Sequence, residues 1–123
     1  MITKIHTDKA AAAIGPYSQG VCTGSLLFTS GQIPVNPATS SIPDGIEAQV
    51  LQVMENLKAV AQAAGTDLAN AVKTTCFLAD MSDFAVFNEI YAKYFTEKPA
   101  RSCVAVKALP KGVLVEVEAI IEI

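Results

Sequence analysis

The chain has 123 residues, enough for one domain that buries roughly two-thirds of its unfolded surface without disulfide or metal staples. Apolar residues make up 51% of it and charged residues only 17%, against about 25% charged in typical soluble domains, which excludes a disordered chain and leaves more apolar sequence than a small monomer can hide. The net charge is −3, and the nine Lys and Arg are scattered singly, so no basic run faces a row of phosphates and nucleic acid is not the expected partner.

In chain order, residues 2–6 alternate and predict an edge strand. The longest apolar run, residues 10–14, ends at Gly15-Pro16, far short of the roughly 20 residues a membrane span needs. Lys4, Asp8 and Lys9 stand where an export signal would carry its apolar core, so a cytoplasmic protein is expected. An odd set of cysteines, Cys22, Cys76 and Cys103, fits reduced thiols and neither a disulfide frame nor a metal site. Residues 18–24 and 26–30, divided by Gly24-Ser25, predict a hairpin. The prolines and small polar residues from Gly31 to Pro43 predict a long loop.

Residues 44–65 predict a helix. Asp44 serves as its cap, Glu47 as the capping-box partner, and Gly65 as the left-handed stop. Ile46, Val50, Val53, Met54, Leu57, Val60, Ala61 and Ala64 form its apolar stripe. A buried strand is expected over 71–79, a second helix over 82–95 with Phe84, Phe87, Tyr91 and Phe95 on one face, and strands over 101–108 and 113–123. The order ββ(β)αβαββ is an α+β layout with both helices on one face of the sheet. The other face is left bare, and packing it against further copies would absorb the surplus apolar sequence. By sequence adjacency alone, the last two strands pair as a hairpin.

Few residues are candidates for chemistry. Arg101, the only arginine, opens an apolar strand where charge is unwelcome. It is either an exposed strand-end charge or a bidentate clamp for a carboxylate, to which the planar guanidinium is well matched. Cys103 shares its strand face by the two-residue period, and reads more readily as a small apolar residue than as a nucleophile, because the only histidine, His6, is remote in sequence. In the last strand Glu116, Glu118 and Glu122 share one face with Ile120; a solvated face is the plain reading, and a general base beside an interface is the sharper one. Asn88 interrupts the apolar side of the second helix, so its amide needs a partner, either an internal backbone group or a substrate. Ser30-Gly31 ends a strand where a backbone N–H can face an anion, and Tyr17 sits in a proline-fixed turn. No phosphate-binding glycine loop and no metal-ligand cluster is present in the pattern.

Taken together, the segments Ile14-Gly15-Pro16-Tyr17-Ser18-Gln19, Ser30-Gly31-Gln32-Ile33-Pro34, Glu55-Asn56-Leu57, Lys73-Thr74-Thr75-Cys76-Phe77, Pro99-Ala100-Arg101-Ser102-Cys103-Val104, Leu109-Pro110-Lys111-Gly112 and Val115-Glu116-Val117-Glu118 resemble the Rid (YjgF-like) family, in particular its RidA branch. The resemblance implies a chorismate-mutase-like fold, a mixed six-stranded sheet whose final strand lies between the third and fourth, and a homotrimer with sites between subunits. It implies hydrolysis of 2-imino acids to 2-keto acids and ammonia, with no cofactor. Arg101 would then grip the substrate carboxylate and Glu116 would position or activate water, while Tyr17, Ser30, Gly31, Asn88 and the backbone at Cys103 line the pocket. Relatives have also been described as endoribonucleases, translation inhibitors or binding modules; a pI of about 5.0 counts against RNA.

Overall fold

In the computed structural model, which describes residues 1–123, strands β1 (Ile2–Ile5), β2 (Gly20–Thr23) and β3 (Leu26–Thr29) are followed by helix α1 (Ile46–Ala63), β4 (Ala71–Leu78), α2 (Phe84–Tyr94), β5 (Ala100–Ala105) and β6 (Val115–Glu122). The six strands form one mixed sheet in the order β1-β2-β3-β6-β4-β5, in which only β4 and β5 run parallel. The sheet therefore has the strand order implied by the resemblance. The hairpin of the last two strands is overturned. α2 returns β5 alongside β4 as a crossover, and β6 enters between β3 and β4. The physical reason lies in β6 itself: Val115, Val117, Ala119 and Ile121 are all at most 2% exposed, and an eight-residue strand with that face buries more between two neighbours than at an edge.

The apolar stripe of α1 seats the helix on the sheet, burying Val50, Val53, Met54, Leu57, Val60 and Ala61 against a core that includes Leu27, Val117, Ile121 and the α2 residues Phe87 and Tyr91. Its N-terminus differs from expectation. The chain enters through Gly45 at φ 88°, a conformation open to glycine, and this leaves Asp44 one residue out of capping register, so no side chain caps the helix. Glu47 in the first turn still complements the helix dipole. At the other end Gly65, at φ 81°, ends the helix as expected, with its N–H on Gln62 O and that of Thr66 on Ala61 O. α2 begins two residues later than expected because Asp80 accepts a 2.8 Å hydrogen bond from Ser82 N and holds residues 81–83 in a tighter turn.

The helices cover one sheet face. On the other, Phe28 is 40% and Val104 44% exposed, with Val21, Phe77 and Ile120 half-buried around them. Ile123, the last residue of the strand expected over 113–123, lies beyond β6 and is exposed. No helix is long and apolar enough to cross a membrane.

Candidate functional site

The fold divides the sequence-nominated residues into two groups on opposite faces of the sheet. The first lies under α2. Alternation along β5 aims Arg101 and Cys103 toward the helices. The Arg101 guanidinium sits 4.7 Å from the centroid of the Tyr91 ring and 5.5 Å from that of Phe84, and its Nη1 donates to Asn88 Oδ1 at 2.6 Å. Tyr91 is itself held, with its hydroxyl 2.8 Å from Thr74 Oγ1 and its ring stacked on Phe95 at 4.7 Å. Two aromatic faces and one amide thus fix the plane of the guanidinium, while no carboxylate of the chain pairs with it. The Asn88 amide oxygen thus takes neither a backbone partner nor an open position: it accepts from the side chain of Arg101. Phe84 and Tyr91 read in the sequence only as core. Their spacing from Asn88 along one helix face is the signal that places all three against a single neighbour.

Cys103 is half-buried in the same group. Burial pushes its thiol above the ordinary range, and the positive charge of Arg101 offsets only part of this. Its in-register neighbour Cys76, fully buried, is pushed up to about 12 by burial. His6 belongs to the far side of the molecule. It follows β1 at one sheet edge, whereas Cys103 stands in β5 at the other, and its ring nitrogen lies 3.8 Å from Asp8. A protonated thiol without a base is not a nucleophile. Cys103→Ala is therefore expected to keep appreciable wild-type function; complete loss with the fold intact, checked by circular dichroism, would restore the thiol to the chemistry.

The second group lines a cavity of about 570 Å³ on the other side: Tyr17, Ser30, Gly31 and Glu116, with Ile14 and Lys111. Tyr17 is 51% exposed in the Gly15-Pro16 turn, its N–H on Gly15 O at 2.9 Å. The Ser30 hydroxyl donates to Ser18 O at 2.5 Å, tying the end of β3 to the segment that carries Tyr17. Gln19, 2% exposed, anchors that segment by donating to Thr7 O and Ala11 O at 3.0 and 2.8 Å. Asn56 of α1, fully buried, donates to Ile33 O and Val35 O at 3.1 and 3.0 Å and so pins the loop after Gly31. Gln19 and Asn56 escape sequence reasoning as organisers of the site. The signal was there for Asn56, an amide on the apolar stripe of a helix, as for Asn88. Lys111 was also missed; its left-handed backbone, φ 57°, turns it to the cavity rim.

Glu116 stands opposite Phe77 of β4 on the outer face, half-buried. Burial holds its carboxyl above the usual range, with a further push from Glu118, two residues along the same face. Arg101, by contrast, stands opposite Thr74, whose side chain is buried on the helix face. Within one chain the cation and the candidate base therefore point away from each other across the sheet.

Comparison with known proteins places this geometry in a family. The family described as Endoribonuclease L-PSP matches residues 7–123. A RutC family protein of Pasteurella multocida is 54% identical over 125 residues, covering 98% of this chain and 97% of its own. The 2-iminobutanoate/2-iminopropanoate deaminase of Escherichia coli K12 is 51% identical over 124 residues, with the same shares covered. The crystal structure of E. coli TdcF with bound serine superposes with a TM-score of 0.95 at 47% identity, over 98% of each chain. Matched along nearly its whole length in sequence and in fold, the chain belongs to the Endoribonuclease L-PSP, or Rid, family.

Proposed function

We propose that the protein is a 2-imino acid deaminase, a hydrolase that converts 2-iminobutanoate- or 2-iminopropanoate-like substrates to 2-keto acids and ammonia at sites completed between the subunits of a homotrimer. The observation that carries this reading is the division of the site: a guanidinium preset in an aromatic slot on one face, and a carboxylate with a raised pKa in an open cavity on the other. Neither half can act alone. The apolar outer face, with Phe28 and Val104 exposed, supplies the contact that would bring one chain's Arg101 to a neighbour's Glu116. The name of the E. coli deaminase and the serine bound to TdcF support a small ligand carrying a carboxylate.

The chemistry asks little of the protein. A protonated imine is already electrophilic at C2. Arg101, with one N–H committed to Asn88, offers its remaining donors to the substrate carboxylate and so orients C2. Glu116 accepts a proton from a water as the oxygen attacks C2 and the C=N pair moves to nitrogen, which gives a carbinolamine. The proton then passes from Glu116 to that nitrogen, and the C–N bond breaks as the hydroxyl gives its proton back to the Glu116 carboxylate and becomes the carbonyl; the departing ammonia takes that proton as ammonium and leaves with a 2-keto acid. A raised carboxyl pKa suits both transfers, since a base nearer neutrality is also a usable acid.

Mixing tests the division of the site directly. Arg101→Ala chains should be inactive and Glu116→Gln chains should keep about 1% of wild-type turnover or less, and in co-expressed, randomly mixed trimers about a quarter of the sites should unite an intact Arg101 with an intact Glu116. A dehydratase generating imine in situ, with keto acid and imine followed in time, is expected to report about a quarter of wild-type activity from the mixture. No recovery, or a stable monomer by sedimentation at micromolar concentration, would sink the shared site.

A further inference from the structure

Gln32 and Val117 exchange both backbone hydrogen bonds, at 2.8 and 3.2 Å, as an isolated bridge beyond the end of β3. Both side chains turn into the core, with Gln32 4% exposed and Val117 fully buried. Their immediate neighbours Gly31 and Glu116 consequently lie on the outer face, on a diagonal across the ladder, where side chains meet. A Cβ built on Gly31 would fall on Glu116 Oε2, 2.8 Å from its Cδ and 3.1 Å from its Cγ. Gly31 has no left-handed backbone, so conformational freedom is not what this position uses. What matters is the missing atom: the Glu116 carboxylate occupies the volume that any other residue would fill.

We infer that Gly31 is a positioning residue for Glu116: the space left by its absent side chain is the seat of the carboxylate, and it fixes the direction in which that carboxylate faces the cavity. The inference rests on the reading of Glu116 as the base and deepens it. With a methyl group at residue 31 the carboxylate has to swing off its seat. The clash is with the far end of a flexible side chain, so the fold should survive while the base moves. Moving the carboxylate is costly where it must take a proton from a placed water, since about 1 Å of misplacement costs on the order of 10²-fold.

The test is a double-mutant cycle read by kcat and KM separately. Gly31→Ala alone is expected to lower kcat by roughly 10- to 100-fold and to change KM by less than about 3-fold. In a Glu116→Ala chain, whose side chain ends at Cβ and leaves the seat empty, the same change should cost less than about 3-fold, because no carboxylate remains to be displaced. In a Glu116→Gln chain it should likewise leave the residual turnover within about 3-fold. A loss from Gly31→Ala that is the same factor in all three backgrounds would mean a loosened strand end and would overturn the inference, as would an unchanged kcat in Gly31→Ala alone. A Glu116→Gln chain with wild-type kcat is a different result, because it removes the base itself and not only its seat.

Discussion

Arg101→Ala is expected to abolish imine hydrolysis while the chain still folds and assembles, because the guanidinium lies at a sheet edge and its removal leaves the buried Tyr91–Thr74 pair intact. The more telling variant is Arg101→Lys. An ammonium keeps the charge but cannot hold Asn88 with one donor and present a second, parallel pair of donors to a carboxylate. It also loses the planar stacking between Tyr91 and Phe84. One charge-assisted hydrogen bond and one stacked contact together come to about 2–4 kcal/mol, or about 30- to 1,000-fold in kcat/KM. Both KM for imine and the dissociation constant for an unreactive keto acid, by calorimetry, should rise. Near-wild-type turnover in the Lys variant would show that no bidentate clamp operates.

Glu116→Gln should separate turnover from binding. The amide keeps the shape and loses the basic lone pair, so kcat is expected to fall by about 10²–10⁴-fold, the usual worth of general-base assistance. Keto-acid affinity should stay the same or improve, because a carboxylate facing an anionic ligand has been neutralised. A solvated strand face predicts unchanged kcat, and a binding module predicts no imine turnover even in the wild type. The same variant carries a stability signature. The folded-state pKa of Glu116 is raised, so ionising it is harder in the folded chain than in the unfolded one. Its favourable contribution is complete below the ordinary glutamate pKa of about 4.3 and is lost as pH rises through the higher folded value. Melting curves in an Arg101→Ala background, where no neighbouring guanidinium offsets the shift, should therefore show Glu116→Gln the more stable at neutral pH, with the advantage gone near pH 4. A Glu116→Gln change that lowers stability at neutral pH in that background would contradict the buried, repelled carboxylate.

Much of this molecule is legible from local pattern. The α1 stripe, the Gly65 stop, the Gly24-Ser25 hairpin and the alternation of β6 follow from side-chain period and backbone sterics, which act over a few residues. Arg101 stands out because a single guanidinium at the head of an apolar strand needs a reason, and Asn88 because an amide on an apolar helix face needs a partner. Even at this range one competing term misleads: Asp44 has the chemistry of a cap, and the turn taken by Gly45 removes it from register. Other features depend on contacts far apart in sequence, and only the tertiary structure decides them. β6 could pair with β5 by adjacency; the burial available between β3 and β4 prevails, because a central position pairs both edges of the strand and covers its apolar face. That insertion sets Glu116 opposite Phe77 and Arg101 opposite Thr74, and so puts the two residues on opposite faces, a relation no spacing in the sequence encodes. The aromatic slot around Arg101 and the seat that Gly31 leaves for Glu116 are likewise matters of which surfaces meet once β5 lies under α2 and the chain after β3 lies beside β6. The elements and the chemically unusual residues are written in the local pattern, since sterics and hydrophobic period act within each segment. The tertiary structure decided which of those residues could share a site, since that depends on burial summed over the whole sheet.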